Sequence, residues 1–107
     1  MSESVAFIVR LPGKPEHRAE LESQLHAVLE AMSAEPDFVN TFLHRADDDP
    51  DTLVLYETWS CSREYFLQHH LARPYRQAYE AALPGLLKAE RQITFLQPVR
   101  AFLPAAA

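Results

Sequence analysis

The stretch FVNTFLHRADDDPDTLVLYETW, Phe38 to Trp59, decides the fold. It contains two β-rich segments, Phe38 to Arg45 and Thr52 to Trp59, separated by ADDDPD, whose aspartates and Pro50 are turn formers. So short a connection predicts an antiparallel hairpin. Alternation along the second strand puts Leu53, Leu55, Glu57 and Trp59 on one face and Val54, Tyr56 and Thr58 on the other. The register of its partner is open. With His44 opposite Leu53, Asn40 faces Glu57 and Phe38 faces Trp59, whereas the other parity brings Val39 and Leu43 to that side. The acids Asp47, Asp48, Asp49 and Asp51 lack the spacing and closing Glu of an EF-hand, so they read as a solvated turn.

Upstream, Val5 to Leu11 is almost continuously apolar and of strand length, and Pro12-Gly13 closes it. A helix follows from Pro15, with Leu21, Leu25, Val28, Leu29 and Met32 forming one apolar stripe until Pro36-Asp37 breaks it. Downstream, Ser60 or Ser62 caps a helix from Arg63, Pro74 forces a break, and a further helix runs from Pro74 to about Leu83, ended by Pro84-Gly85. Gln92 to Val99 reads as a last strand, with Pro98 at its edge or end. The order β-α-β-β-α-β predicts an α+β, ferredoxin-like split βαβ domain: a four-stranded antiparallel sheet with helices on one face. The first strand is apolar on both sides, Val5, Phe7 and Val9 against Ala6 and Ile8, so the uncovered face is expected to meet a second copy in a two-fold dimer. The tail from about residue 100 to 107 is expected to be flexible or to dock on that partner.

With 107 residues, 48% of them hydrophobic and 23% charged, the chain reads as one globular domain, 1–107, rather than a disordered one. A net charge of −5 and the lack of basic runs interleaved with aromatics argue against nucleic acid. The opening MSESVAFIVR suggests neither a signal peptide nor a membrane span, and a single cysteine, Cys61, gives no disulfide framework, so a reducing, cytoplasmic setting is expected. Only two glycines occur, and no Gly-rich phosphate loop can be formed from them.

Chemistry-bearing residues gather after Phe38. Glu57 lies beside Trp59 on a mostly apolar face, where a carboxylate is costly unless paired; it is either held by an arginine or helix terminus or set to act. Trp59 is either core or the wall of a ligand cavity, and its indole N–H needs a partner if buried. One of His69 and His70 can face the sheet, and that one is either structural or a general base. Helical spacing pairs Arg73 with Gln77, Tyr75 with Tyr79 and Arg76 with Glu80, which suits either packing with a surface ion pair or the binding of an anionic or phenolic ligand. No HExxH motif or i, i+4 histidine pair occurs, so no metal site is expected, and Cys61 has no evident base beside it.

From Glu35-Pro36, Leu43-His44-Arg45, Asp49-Pro50 and Leu55-Tyr56-Glu57-Thr58-Trp59, the chain resembles the antibiotic biosynthesis monooxygenase family, in particular its small quinol-monooxygenase-like members. ARPYRQAYEAALPGLL resembles one subgroup. The resemblance implies a dimeric α+β barrel of ferredoxin-like protomers with a cavity between sheet and helices. It also implies oxygenation of a quinol, anthrone or similar phenolic aromatic by O2 with no cofactor. On that reading Trp59 is cavity wall and hydrogen-bond donor, His70 or His69 the base, and Glu57 the group orienting the base or a water. Asn40, Phe42, Tyr75, Arg76 and Tyr79 are then substrate contacts. The alternative is a non-catalytic small-molecule-binding dimer of the same fold, with a purely structural interaction protein third. Asp37 stands where many members have Gly, and Thr41 near where they have Tyr. Val9 stands near the Asn of the haem-degrading relatives, which disfavours haem turnover.

Overall fold

β1 (Val5–Pro12) is central. In the computed structural model, which describes residues 3–105, it pairs antiparallel with β3 (Asp49–Trp59) on one side and β4 (Gln92–Leu96) on the other. β2 (Phe38–Ala46) completes the order β2-β3-β1-β4. A tight helical turn at Pro15–His17 leads into α1 (Arg18–Ser33), which buries Leu21, Leu25, Val28 and Met32 as its periodicity predicts. A second helical segment begins as α2 (Arg63–Tyr65), where Ser62 Oγ accepts the Tyr65 amide at 3.1 Å, and widens into a π turn at Phe66–His70. After a short turn at Pro74–Arg76, α3 (Gln77–Leu86) buries Tyr79, Leu83 and Leu86. These side chains join Val5, Phe7, Val9, Leu11, Leu53, Leu55 and Trp59 in one core on one face of the sheet. This is the ferredoxin-like α+β arrangement. The opposite face leaves Ile8, Phe42, Tyr56 and Leu96 exposed.

The hairpin departs from expectation at both ends. Its turn is only Asp47-Asp48, because β3 already begins at Asp49. Ala46 pairs with Asp49 and Arg45 with Leu53, so Pro50, Asp51 and Thr52 bulge between them. The Asp49 carboxylate compensates for the interrupted ladder: it accepts the Asp51 amide at 3.2 Å, the Thr52 hydroxyl at 2.8 Å and Lys88 Nζ at 2.8 Å. At the other end Phe38 pairs with Trp59, but from Asn40 on the parity changes, with Asn40 opposite Thr58, Thr41 opposite Glu57 and Leu43 opposite Leu55. A bulge at Val39 therefore uses both registers, one on each side of it.

Two further boundaries move. Pro84-Gly85 does not end α3, which continues to Leu86. The Leu87 amide still reaches the Leu83 carbonyl at 3.0 Å, and burial of Leu83 and Leu86 outweighs the one bond that proline cannot make. β4 stops at Leu96, opposite Ala6, so Pro98 and Val99 lie beyond the sheet. In the tail, Phe102 and Leu103 are exposed rather than packed on this chain.

Gly13 has a steric reason to be glycine. Its amide donates to the Asp51 carbonyl at 3.2 Å, and a Cβ would lie 2.4 Å from that oxygen and 2.9 Å from Leu21 Cδ2. Gly85 has nothing within 4 Å of its Cβ position. Urea unfolding should therefore show opposite signs: Gly13→Ala destabilising by about 1–3 kcal/mol through overpacking, and Gly85→Ala stabilising by about 0.5–1 kcal/mol through helix propensity.

Candidate functional site

The alternation of β3 directs Glu57 and Trp59 to the helix side, as read from the sequence, and both are buried. Trp59 Nε1 donates to Glu57 Oε1 at 3.1 Å, so the indole N–H and the carboxylate meet each other's need for a partner. Phe38 meets the indole edge-on with centroids 5.3 Å apart, while Phe66 and His70 pack against it at 5.3 and 4.4 Å. Trp59 is thereby completely enclosed and divides two polar groupings.

On one side lies a cavity of about 50 Å³ between sheet and helices, walled by apolar side chains including Phe7, Val28, Leu55 and Phe95. Its polar groups are Glu57, Arg76, Tyr79 and Arg91. Burial pushes the Glu57 carboxyl above its ordinary range; the Trp59 hydrogen bond and the Arg76 charge oppose this without overcoming it. Arg76, expected to pair with Glu80 at the surface, is buried. Its Nη2 donates to Glu80 Oε2 at 2.8 Å, Nη1 lies 3.3 Å from Met32 Sδ, and Nε has no partner. Arg91 shares the same Glu80 oxygen at 2.9 Å. Burial also raises Tyr79 to about 12, so its phenol stays protonated and is a donor rather than a base.

On the other side Glu35, Asp37, Cys61, His70, Arg73 and Tyr75 converge. The π turn, closed by the Leu71 amide on the Phe66 carbonyl at 3.1 Å, turns Phe66 and His70 inward. His69 is exposed and stacks on Tyr65 with centroids 4.2 Å apart. His70 Nε2 lies 2.9 Å from Asp37 Oδ2. Glu35 accepts from Arg73 Nε at 2.7 Å and from the Tyr75 hydroxyl at 3.1 Å. Burial works to raise the Glu35 carboxyl, but these bonds and the Arg73 and His70 charges together hold it below its usual value. Arg73 thus pairs across to Glu35 rather than along its helix with Gln77, because the chain is not yet helical there.

Of the residues singled out from sequence, Glu57, Arg76 and Tyr79 line the cavity. Trp59 backs it through Glu57, while His70 and Tyr75 fall in the second grouping. Asn40 lies at the Val39 bulge beside a surface groove between α1 and β2, and Phe42 stacks on Tyr56 on the open face. Arg91 gave no signal in the sequence, since it sits in an irregular segment before β4. Cys61, read as lacking a neighbouring base, lies near His70. Its thiol is nevertheless held up, first by burial and then by the Asp37 and Glu3 charges, which does not favour a nucleophile.

The family described as antibiotic biosynthesis monooxygenase matches residues 4–82. Among solved structures, Rv0793 from Mycobacterium tuberculosis superposes with a TM-score of 0.82 at 27% identity, covering 92% of this chain and 98% of that one. NE2512, a protein of unknown function from Nitrosomonas europaea, gives 0.75 at 27% identity, covering 99% and 98%. PA3566 from Pseudomonas aeruginosa gives 0.81 at 22% identity over 94% and 98%, a likeness of fold. No curated protein matches significantly.

A carboxyl whose pKa is raised on folding favours the folded state below its unfolded value, near 4.5, and loses that contribution as pH rises through the folded value. Glu57→Gln removes this penalty. Thermal unfolding should show the variant more stable than the wild type at neutral pH, with the advantage shrinking toward pH 4.

Proposed function

We propose, given that the chain belongs to the antibiotic biosynthesis monooxygenase family, that it oxygenates a phenolic aromatic such as a quinol or an anthrone with O2 and no organic or metal cofactor. The observation that carries this reading is Glu57: a carboxylate of raised pKa that shares a mostly apolar cavity with the buried Arg76. Such a pair suits removal of a proton from an acidic phenol or anthrone and stabilisation of the resulting anion. The electron-rich anion reduces O2, and the two combine into a peroxide at carbon. Loss of water from that peroxide leaves a carbonyl: an anthrone CH2 plus O2 becomes C=O plus H2O, one oxygen atom going to each product.

In this reading Glu57 is the base, in place of His70 or His69, because it lines the cavity and His70 does not. Trp59 orients Glu57, Arg76 and Arg91 stabilise the anion, and Tyr79 donates to a substrate oxygen. His70 and Tyr75 act from behind Trp59, as positioning groups. The cavity of about 50 Å³ is well below the roughly 300 Å³ of small-molecule sites. Substrate would enter by displacing Arg91, Ile93 and Phe95, the partly exposed wall on the β4 side. A homodimer across the open face, with Phe102 and Leu103 docked on the partner, fits the apolar side chains left exposed there.

Oxygen uptake in the presence of chelator, corrected for autoxidation across a panel of quinols, anthrones and dihydroxynaphthalenes, should be saturable. Glu57→Gln should lower kcat by about 10²–10⁴-fold. The rate should rise with pH through the raised pKa of Glu57, since the carboxylate is the proton acceptor. Trp59→Phe removes a bond to that carboxylate and should move the acid limb to higher pH. Full activity in Glu57→Gln would eliminate Glu57 as base. The small cavity favours one other reading, a binding protein without turnover, which would bind members of the panel yet consume no oxygen.

A further inference from the structure

Outside the cavity, three potential ligand atoms of different chemistry meet: an Asp37 carboxylate oxygen, Cys61 Sγ and a His70 ring nitrogen all lie within 4.8 Å of one another. They arrive from separate parts of the chain. Asp37 sits in the turn between α1 and β2, Cys61 follows β3, and His70 ends the π turn. The Ser60 amide donates to the Asp37 carbonyl at 2.7 Å, which ties the Asp37 turn to the segment carrying Cys61.

We propose that Asp37, Cys61 and His70 bind a divalent transition-metal ion, with zinc the best match, leaving one coordination position to solvent. A mixed sulfur, nitrogen and oxygen set is suited to zinc, and three protein ligands plus water is a common shell for it. The 2.9 Å between His70 Nε2 and Asp37 Oδ2 is close to the roughly 3.3 Å edge of a tetrahedral N,O shell. With all three atoms within 4.8 Å of one another, closing the sulfur onto the same centre needs at most about 1 Å of movement, within reach of a side-chain adjustment at Cys61. Cys61 and Asp37 are partly exposed, so an ion can enter from solvent although His70 is 2% exposed.

The His70 ring gives an independent pointer. When Nε2–H donates to Asp37, Nδ1 is left buried with no hydrogen bond. Metal on Nε2 places the proton on Nδ1 instead, where Glu35 Oε2 lies 3.6 Å away. A carboxylate behind a coordinating histidine is the usual way its tautomer is fixed. The Asp37 carboxylate beside Cys61 and His70 supplies the negative charge that a cation needs, and the thiol would bind as its thiolate, releasing its proton on coordination. Trp59 stands between this site and the cavity, so the inference does not depend on the oxygenation reading.

The test is a titration of the full, metal-stripped chain with Co²⁺ alone, followed by displacement with Zn²⁺. One equivalent of cobalt should bind with a thiolate-to-cobalt charge-transfer band, and zinc should abolish the band. Cys61→Ser, a near-isosteric change at a partly exposed position, should remove the band and weaken zinc at least tenfold while leaving circular dichroism unchanged. Glu35→Gln should weaken zinc by about tenfold, as loss of a group behind a coordinating histidine does. A spectrum without a thiolate band at saturating cobalt, or zinc affinity unaltered in folded Cys61→Ser, would overturn the assignment.

Discussion

The hydrogen bond from Trp59 to Glu57 is the constraint around which the helix-covered face is arranged. A carboxylate taken from water into an apolar layer needs a donor and a nearby positive charge, and an indole N–H buried in that layer needs an acceptor. β3 supplies both partners two residues apart on one face, so a single strand meets both needs. The surrounding elements then enclose that pair: β2 brings Phe38, the π turn brings Phe66 and His70, and the approach to α3 brings Arg76. Since burial still dominates Glu57, the pair also stores a basicity that an exposed glutamate lacks.

Charge on the two sides of Trp59 is organised differently. In the cavity, Arg76 and Arg91 share Glu80, and burial, which would raise the Glu80 carboxyl, is overcome by their hydrogen bonds and charges. Both arginines keep donor capacity beyond that carboxylate, and the Arg76 Nε is unpaired. Behind Trp59 the acids lead, with Glu35 and Asp37 around His70. A cavity holding two arginines and a cluster holding two carboxylates thus stand back to back. Sites that keep incompletely paired buried groups give up stability for chemical potential.

Legibility differed by element for physical reasons. The α1 stripe and the two faces of β3 follow from local periodicities of about 3.6 and 2 residues, which tertiary packing here reinforces. The Ser62 cap is equally local. The β2 register was not readable, because the bulge at Val39 satisfies Trp59 with Phe38 and Leu55 with Leu43, a solution that depends on the partner strand. Pro84-Gly85 misled because the signal is a backbone one, and it was outweighed by burial of Leu83 and Leu86. The choice between His69 and His70 turned on one extra residue per turn in the π segment, which regular helical spacing does not encode.

Element order, the strand carrying Glu57 and Trp59, and the family likeness were all present in the linear chain, because each rests on neighbours a few residues apart. The assembly of Glu57 with Arg76 and Arg91, and of Asp37 with Cys61 and His70, arose from strand pairing and helix packing. His70 and Asp37 are 33 residues apart, and Glu35 and Tyr75 are 40. No periodicity spans such distances; the closing of the sheet alone brings them within reach of one another.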